Sequence, residues 1–418
     1  MNPYTNESLF GSKAIKFLLP VSVLAIISRG FPVFNVVYYS LLILFSYFIF
    51  KGIKFVFTNK SLKIFLILIT AFGIWAALTS AWSDYPLITL TRSAYLIFIS
   101  LGAVLGGCLW NNFYGNSLGF LFPANVMIIL LSLFSIITNI PSDSWTGGHG
   151  KGFMGFAGHQ NTLASIILFT IPAVFSLIKT NTVNSTSKSV RAQNLILIIL
   201  LLLNLIILIL TYSRASILSL LSGVVVFLIL IKKWNVLLYS LLVLVLLLPA
   251  IYFTPVLKEK ANDLIKKDFP SFYSSREFLW QPSQEAAAKG GFFGLGYGMS
   301  DPEILLPGSG SHYEAERYVR EKGNSVLAVI EETGYIGLVL FLLPVSYLLL
   351  KGKNKTDYKS EINVSQSEAV NLNSKYILAA LFALLVHSQF EAWWVGVGSV
   401  QLPLFFFYAG ALLNQKKS

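Results

Sequence analysis

Charge is what this chain has least of. Only 12% of its 418 residues are Asp, Glu, Lys or Arg, against 55% hydrophobic, which is too little polar surface for a soluble domain of that length. Cysteine is almost absent. Cys108 stands alone, so no disulfide framework can form, and a single thiol inside an apolar run reads as a packing residue. The 4 histidines and 19 acids show no His-Glu-x-x-His, Cys-x-x-Cys or EF-hand spacing, so no metal site is expected, and no cofactor. A Gly-x-Ser-x-Gly elbow is missing too, as is the Lys-Ser/Thr that would turn the glycines near residue 296 into a P-loop. Long period-two alternation is also lacking, which excludes a membrane barrel.

Apolar runs fill the space. About 20 residues are needed to cross about 30 Å of hydrocarbon, and about twelve runs approach that rule. They predict an all-α, polytopic integral membrane protein in three parts: 1–253 with about nine spans, a large extracytoplasmic loop at 254–325, and 326–418 with about three spans. The first run follows lysines as a secretory signal would. No small-x-small cleavage site follows Ile27, so it reads as a retained helix. Lysines give the orientation. With the N-terminus in the cytoplasm, Lys13, Lys16, Lys51, Lys54, Lys60, Lys63, Lys232, Lys233, Lys351 and Lys353 all fall inside, as the positive-inside bias requires. The net charge of +12 then reflects contact with anionic membrane lipids, and no nucleic-acid partner is expected.

The polar stretches 181–191 and 351–374 are cytoplasmic connectors without catalytic residue types. Two outward segments remain, the glycine-rich 140–161 and the long loop, and a loop of that length between compact spans is usually functional. Its residues 256–269 alternate lysines and apolar positions at helical spacing, which predicts a helix on the membrane surface. Next, Ser274-x-x-Glu277 is a capping-box pattern that puts Arg276 in the first turn of a helix, where free N–H groups attract anions. Trp280 lies one turn along. Pro282 is expected to kink or split this helix and Gly290-Gly291 to end it, while Gly294, Gly296 and Gly298 would let backbone approach a ligand.

Arg214, in Thr211-Tyr212-Ser213-Arg214, sits between two apolar runs at the membrane edge. A cation beside hydrocarbon is costly unless an anion pairs with it, and a lipid-linked diphosphate would fit both Arg214 and Arg276. Plainer alternatives stand beside this. Arg214 can snorkel to the headgroups, Arg276 can be solvated, and Trp82, Trp393 and Trp394 read as interfacial belt residues. His159 reads as a hydrogen-bonded loop histidine and His387 as a buried helix contact near Glu391.

Taken in order, several segments resemble the O-antigen ligase and polymerase family. They are Ala81-Trp82-Ser83-Asp84-Tyr85-Pro86 with Arg92, Gly158-His159-Gln160-Asn161-Thr162-Leu163-Ala164, Thr211-Tyr212-Ser213-Arg214, and Arg276 to Trp280. Gly294-Leu295-Gly296-Tyr297-Gly298 and Asn324-Ser325 through Gly334-Tyr335-Ile336-Gly337 complete the set. The resemblance implies a multi-pass enzyme of the bacterial inner membrane with its site facing the periplasm or exterior. It would move a glycan from an undecaprenyl-diphosphate-linked donor to a glycan or lipid-core acceptor, inverting and without a metal. Arg214, Arg276 and His312 would be catalytic, with Arg92, His159, Asn161, Trp280 and Asn324 binding substrate. One departure stands out: the ligases carry His-Asn where this chain has Gly323-Asn324. Either His312, with Glu277 or Glu314 behind it, is the candidate base, or the chain sides with relatives, polymerases included, that do without the histidine, a base being optional at so positive a sugar centre. Ligase, polymerase and protein O-oligosaccharyltransferase share this chemistry. A transporter or flippase of lipid-linked sugars is the alternative from another class, although no internal repeat is visible.

Overall fold

The computed structural model describes residues 9–31, 35–114, 118–140, 152–184, 188–240, 242–243, 254–255, 274–301, 303–304, 322–356, 364–396 and 398–414. Among them the regular elements are helices. They are α1 (Leu9–Ser28), the short α2 (Asn35–Tyr38), α3 (Leu41–Thr58), α4 (Lys60–Leu78), α5 (Pro86–Tyr114), α6 (Phe122–Thr138), α7 (Gln160–Asn184), α8 (Lys188–Leu210) and α9 (Arg214–Leu230). After the long loop's first part come α10 (Ser274–Gly290), α11 (Ser325–Thr356), α12 (Val364–His387) and α13 (Gln401–Leu413). Among the described residues six segments are long and apolar enough to cross a membrane: Val36–Thr58, Lys60–Ala81, Pro86–Phe113, Gln160–Ile178, Val190–Leu210 and Ser325–Asn354. Phe122–Thr138, Arg214–Leu230, Leu372–His387 and Gln401–Leu413 are apolar but shorter. The chain is therefore an all-α, polytopic membrane protein.

Burial sorts the helices into inner and outer positions. The span of α5 is 72% buried, packed by α3, α4 and α13, whereas Val190–Leu210 is 22% buried and leaves Leu195, Ile199, Leu202 and Ile206 for lipid. An exposed apolar helix is stable only where the solvent is hydrocarbon.

The two ends of the bundle differ. At one end Asn59 Nδ2 donates to Leu413 O (2.9 Å), Asn111 Nδ2 to Asn414 O (2.8 Å) and Asn414 Nδ2 to Cys108 O (2.9 Å), tying α3, α5 and α13 together beside Lys60. Cys108 is buried there among apolar neighbours. The other end carries the loop residues that follow α10.

That loop is seated on a broken helix. Gly334 has φ 72° and ψ −177°, which interrupts α11 and frees backbone groups on both sides of the break. Leu295 and Gly296 N–H groups donate to Glu331 and Glu332 carbonyls (2.8 and 3.0 Å), and Tyr335 N–H donates to Gly291 O (3.0 Å). A Cβ on Gly334 would fall 2.1 Å from Phe292 O, so only glycine fits. Two family-like segments are thus one structural unit.

Several expectations need correcting. α10 runs through Pro282 without splitting and does end at Gly290, with Gly291 in the left-handed region at φ 54°. Gly294 brings backbone against protein, a Cβ there falling 2.4 Å from the Glu332 carbonyl, whereas Gly298 packs against Arg92, a Cβ there falling 2.4 Å from Arg92 Cδ, and lines the cavity described below. Trp393 and Trp394 are no belt residues. They are buried and stacked with centroids 4.4 Å apart, because the 388–400 segment folds back onto α7 and α13, and Trp393 Nε1 donates to the buried His387 Nδ1 (3.2 Å). Trp82 is half-exposed and donates to Gly294 O (2.9 Å). The proposed surface helix at 256–269 lies outside the described residues.

Candidate active site

At the loop end of the bundle a cavity of about 490 Å³ opens between α1, α5, α7, α11 and the turn before α13. Its charged lining is Arg29, Arg92, Lys322, Glu332 and Glu391. Each enters from a different stretch of chain. Arg29 follows the last turn of α1, donates from Nε to Gly398 O (3.3 Å) and lies over the Tyr38 ring. Arg92, one turn into α5, donates from Nη1 to Gly298 O.

Lys322 is buried, and its ammonium contacts Glu332 Oε1 (2.5 Å), Glu331 Oε2 (3.5 Å) and Met299 O (2.7 Å). The Glu332 carboxylate also accepts the Gly298 N–H (2.6 Å), and that of Glu331 accepts the Asp301 N–H (3.2 Å). Burying a charge is tolerable only with such partners. The cluster therefore fixes the position of the 298–301 backbone against α11. Tyr297 lies buried beside it, and burial first, then the Glu332 charge, push its phenol well above its ordinary range, so it stays neutral.

Glu391 is held differently. Asn161 Nδ2, in the first turn of α7, donates to Glu391 Oε1 (2.8 Å), and His159 Nδ1 accepts the Asn161 N–H (3.1 Å) just ahead of that helix. Asn324 caps α11, its Oδ1 accepting the N–H groups of Val326 (2.8 Å) and Leu327 (3.1 Å), while its Nδ2 donates to Gln389 O (3.0 Å). Trp280 on α10 donates from Nε1 to Gly323 O (3.0 Å) and faces the Phe390 ring.

Among the residues singled out in the sequence, Arg92 lines the cavity and Asn161 binds a lining carboxylate. His159, Asn324 and Trp280 brace the surrounding turns. Arg214 opens α9 and is not among the lining residues. Arg276 falls in the first turn of α10, but its side chain, like the whole of His312 and Glu314, lies outside the described residues. The sequence reading passed over Arg29, Lys322 and Glu391. Arg29 carried the same signal as Arg214, a cation at the outer end of an apolar run, whereas Lys322 and Glu391 acquire meaning only from their distant partners.

The departure at Gly323 has a steric side. A Cβ there would lie 2.7 Å from Leu279 Cβ and 3.1 Å from Trp280 Cδ1, so α10 occupies the space a histidine would need.

The family model for O-antigen ligase matches residues 199–342, from within α8 to within α11. That match supports the assignment to the O-antigen ligase and polymerase family and, with the membrane helices, a membrane glycan-processing role of that type. No curated protein matches the chain. The matched segment holds Arg214, Arg276, Trp280, Lys322 and Asn324, while Arg29, Arg92, Asn161 and Glu391 complete the cavity from outside it.

Proposed function

We propose that the chain transfers or polymerises a glycan from an undecaprenyl-diphosphate-linked donor onto an acceptor hydroxyl, in the cavity at the loop end of the bundle. The observation that carries this reading is the convergence of Arg29, Arg92 and Lys322 on that cavity. A glycosyl diphosphate already has a good leaving group. What it lacks is a partner for the charge that builds on the diphosphate as the sugar bond breaks, and guanidinium groups supply it with two-pronged, weakly hydrated contacts. Arg92 and Arg29 are placed for this, and Arg214 and Arg276 are the further clamp residues proposed from sequence. The acceptor oxygen attacks the anomeric carbon from the opposite face and inverts it, without a metal. His312, the candidate base read from the sequence, lies outside the described residues. The lysine-bearing end of the bundle lies in the cytoplasm and the cavity faces the periplasm or exterior of the bacterial inner membrane.

The test uses the purified full chain with the lipid-linked glycan fraction extracted from the cells that make it. Transfer with release of undecaprenyl diphosphate is expected. A ladder of products identifies a polymerase, one-step transfer to a lipid core a ligase, and transfer to polypeptide a protein O-oligosaccharyltransferase. Movement of the intact donor across a liposome bilayer, with no sugar bond broken, would instead establish a transporter.

A further inference from the structure

One short turn, 388–391, is held from three directions, and it carries a carboxylate into the cavity. From α11, Asn324 Nδ2 donates to Gln389 O (3.0 Å), Ser325 N–H to Ser388 O (2.9 Å) and Ser325 Oγ to Glu391 O (2.8 Å). From α7, Asn161 orients the carboxylate itself at 2.8 Å, and His159 Nδ1 accepts the backbone N–H of Asn161 at the start of that helix. From α10, Trp280 packs against Phe390. Thus Asn324 and Trp280 hold the turn at Gln389 and Phe390 while Asn161, first read as substrate-binding like them, bonds Glu391 itself, which is part-buried and shares the cavity with Arg29, Arg92 and Lys322. A solvated surface acid has no use for such fixation. A group that must meet a reacting atom does.

We propose that Glu391 is the general base of the transfer, an inference that rests on the function proposed above and names the group that receives the acceptor's proton. The acceptor oxygen bonds to the anomeric carbon as the bond from that carbon to the diphosphate oxygen breaks. The electron pair leaves with the diphosphate beside Arg29 and Arg92, and the hydroxyl proton passes to the Glu391 carboxylate, so charge and atoms balance. Asn161, His159 and Asn324 are positioning residues. Glu332 is the poorer base, because Lys322 and the Gly298 N–H already occupy its carboxylate oxygens. The histidine used by the ligases has no counterpart at 323, where even a Cβ is crowded by α10.

The experiment compares the full-length wild type with Glu391→Gln, Glu391→Ala and His312→Ala, each measured for binding of undecaprenyl diphosphate and for cleavage of the extracted lipid-linked glycans. Glu391→Gln should bind undecaprenyl diphosphate like the wild type and transfer about a hundredfold more slowly or worse, the usual worth of a general base. Sodium azide, a nucleophile that brings no proton, should restore donor cleavage to Glu391→Ala and yield the glycosyl azide. Wild-type transfer by Glu391→Gln would overturn the proposal, and so would azide rescue of His312→Ala in place of Glu391→Ala. If Glu391→Ala fails to reach the membrane, the rate of Glu391→Gln decides alone. Failure of the wild type itself to cleave any donor would instead overturn the transferase reading.

Discussion

The two walls of the cavity hold their carboxylates in opposite ways. On the α11 wall, Glu331 and Glu332 close on a buried ammonium and on backbone N–H groups, so the charges balance in place and the wall becomes rigid. On the wall before α13, a neutral amide orients Glu391 from a helix 230 residues away in sequence. An ion pair surrounded by protein is a structural element, and losing one partner leaves the other charge stranded. Glu391, oriented by an amide, lies on the cavity lining itself. The difference separates the residues that shape the site from those that can act in it.

The largest expected effect tests the rigid wall. Lys322→Met should destabilise the protein by about 3–5 kcal/mol, because Glu331 and Glu332 remain buried without their cation. Thermal unfolding in detergent checks this. Glu391→Gln should shift the midpoint far less, and equal losses would erase the distinction between the walls. Next come the arginines. Arg214→Ala and Arg276→Ala should each remove about 3 kcal/mol or more of transition-state stabilisation at equal membrane abundance, with Arg276→Lys between arginine and alanine. Near-normal glycan transfer by both alanine variants would confine the diphosphate to Arg29 and Arg92, inside the cavity proper. The smallest effect sharpens the reading of position 323. Gly323→His should cost about 1–3 kcal/mol through overpacking against Leu279 and Trp280 and should not raise activity. A gain in transfer rate would mean that α10 yields and that a histidine base can work from this wall.

Much of the site was legible in part. Arg92, His159, Asn161, Trp280 and Asn324 were singled out by the segments that resemble the family; Arg92 lines the cavity, and the other four bond Glu391, Asn161 or the turns beside it. Their partners were not legible. Arg29 meets Gly398 across 369 residues and Lys322 meets Met299 across 23, and no local pattern encodes either contact. The glycines 294, 296 and 298 were read as an opening for ligand, yet Gly294 approaches the helix broken at Gly334, Gly296 approaches Ser83 and Thr89, and Gly298 approaches Arg92 at the cavity, fits visible only when these segments are in place. Trp393 and Trp394 misled for a related reason. At the interface an amphipathic ring is the default, and only the fold of the 388–400 segment shows that these rings are core.

By itself the sequence determined that the chain is helical and spans a membrane repeatedly. Hydrocarbon imposes those rules locally: each span must satisfy its own backbone and exclude its own charges, whatever its neighbours do. Only the tertiary structure decided which polar residues share a cavity, which carboxylate is locked by a lysine and which is presented by an asparagine. Those outcomes depend on distances between helices far apart in the chain, and a hydrogen bond exists only within about 3 Å of its partner.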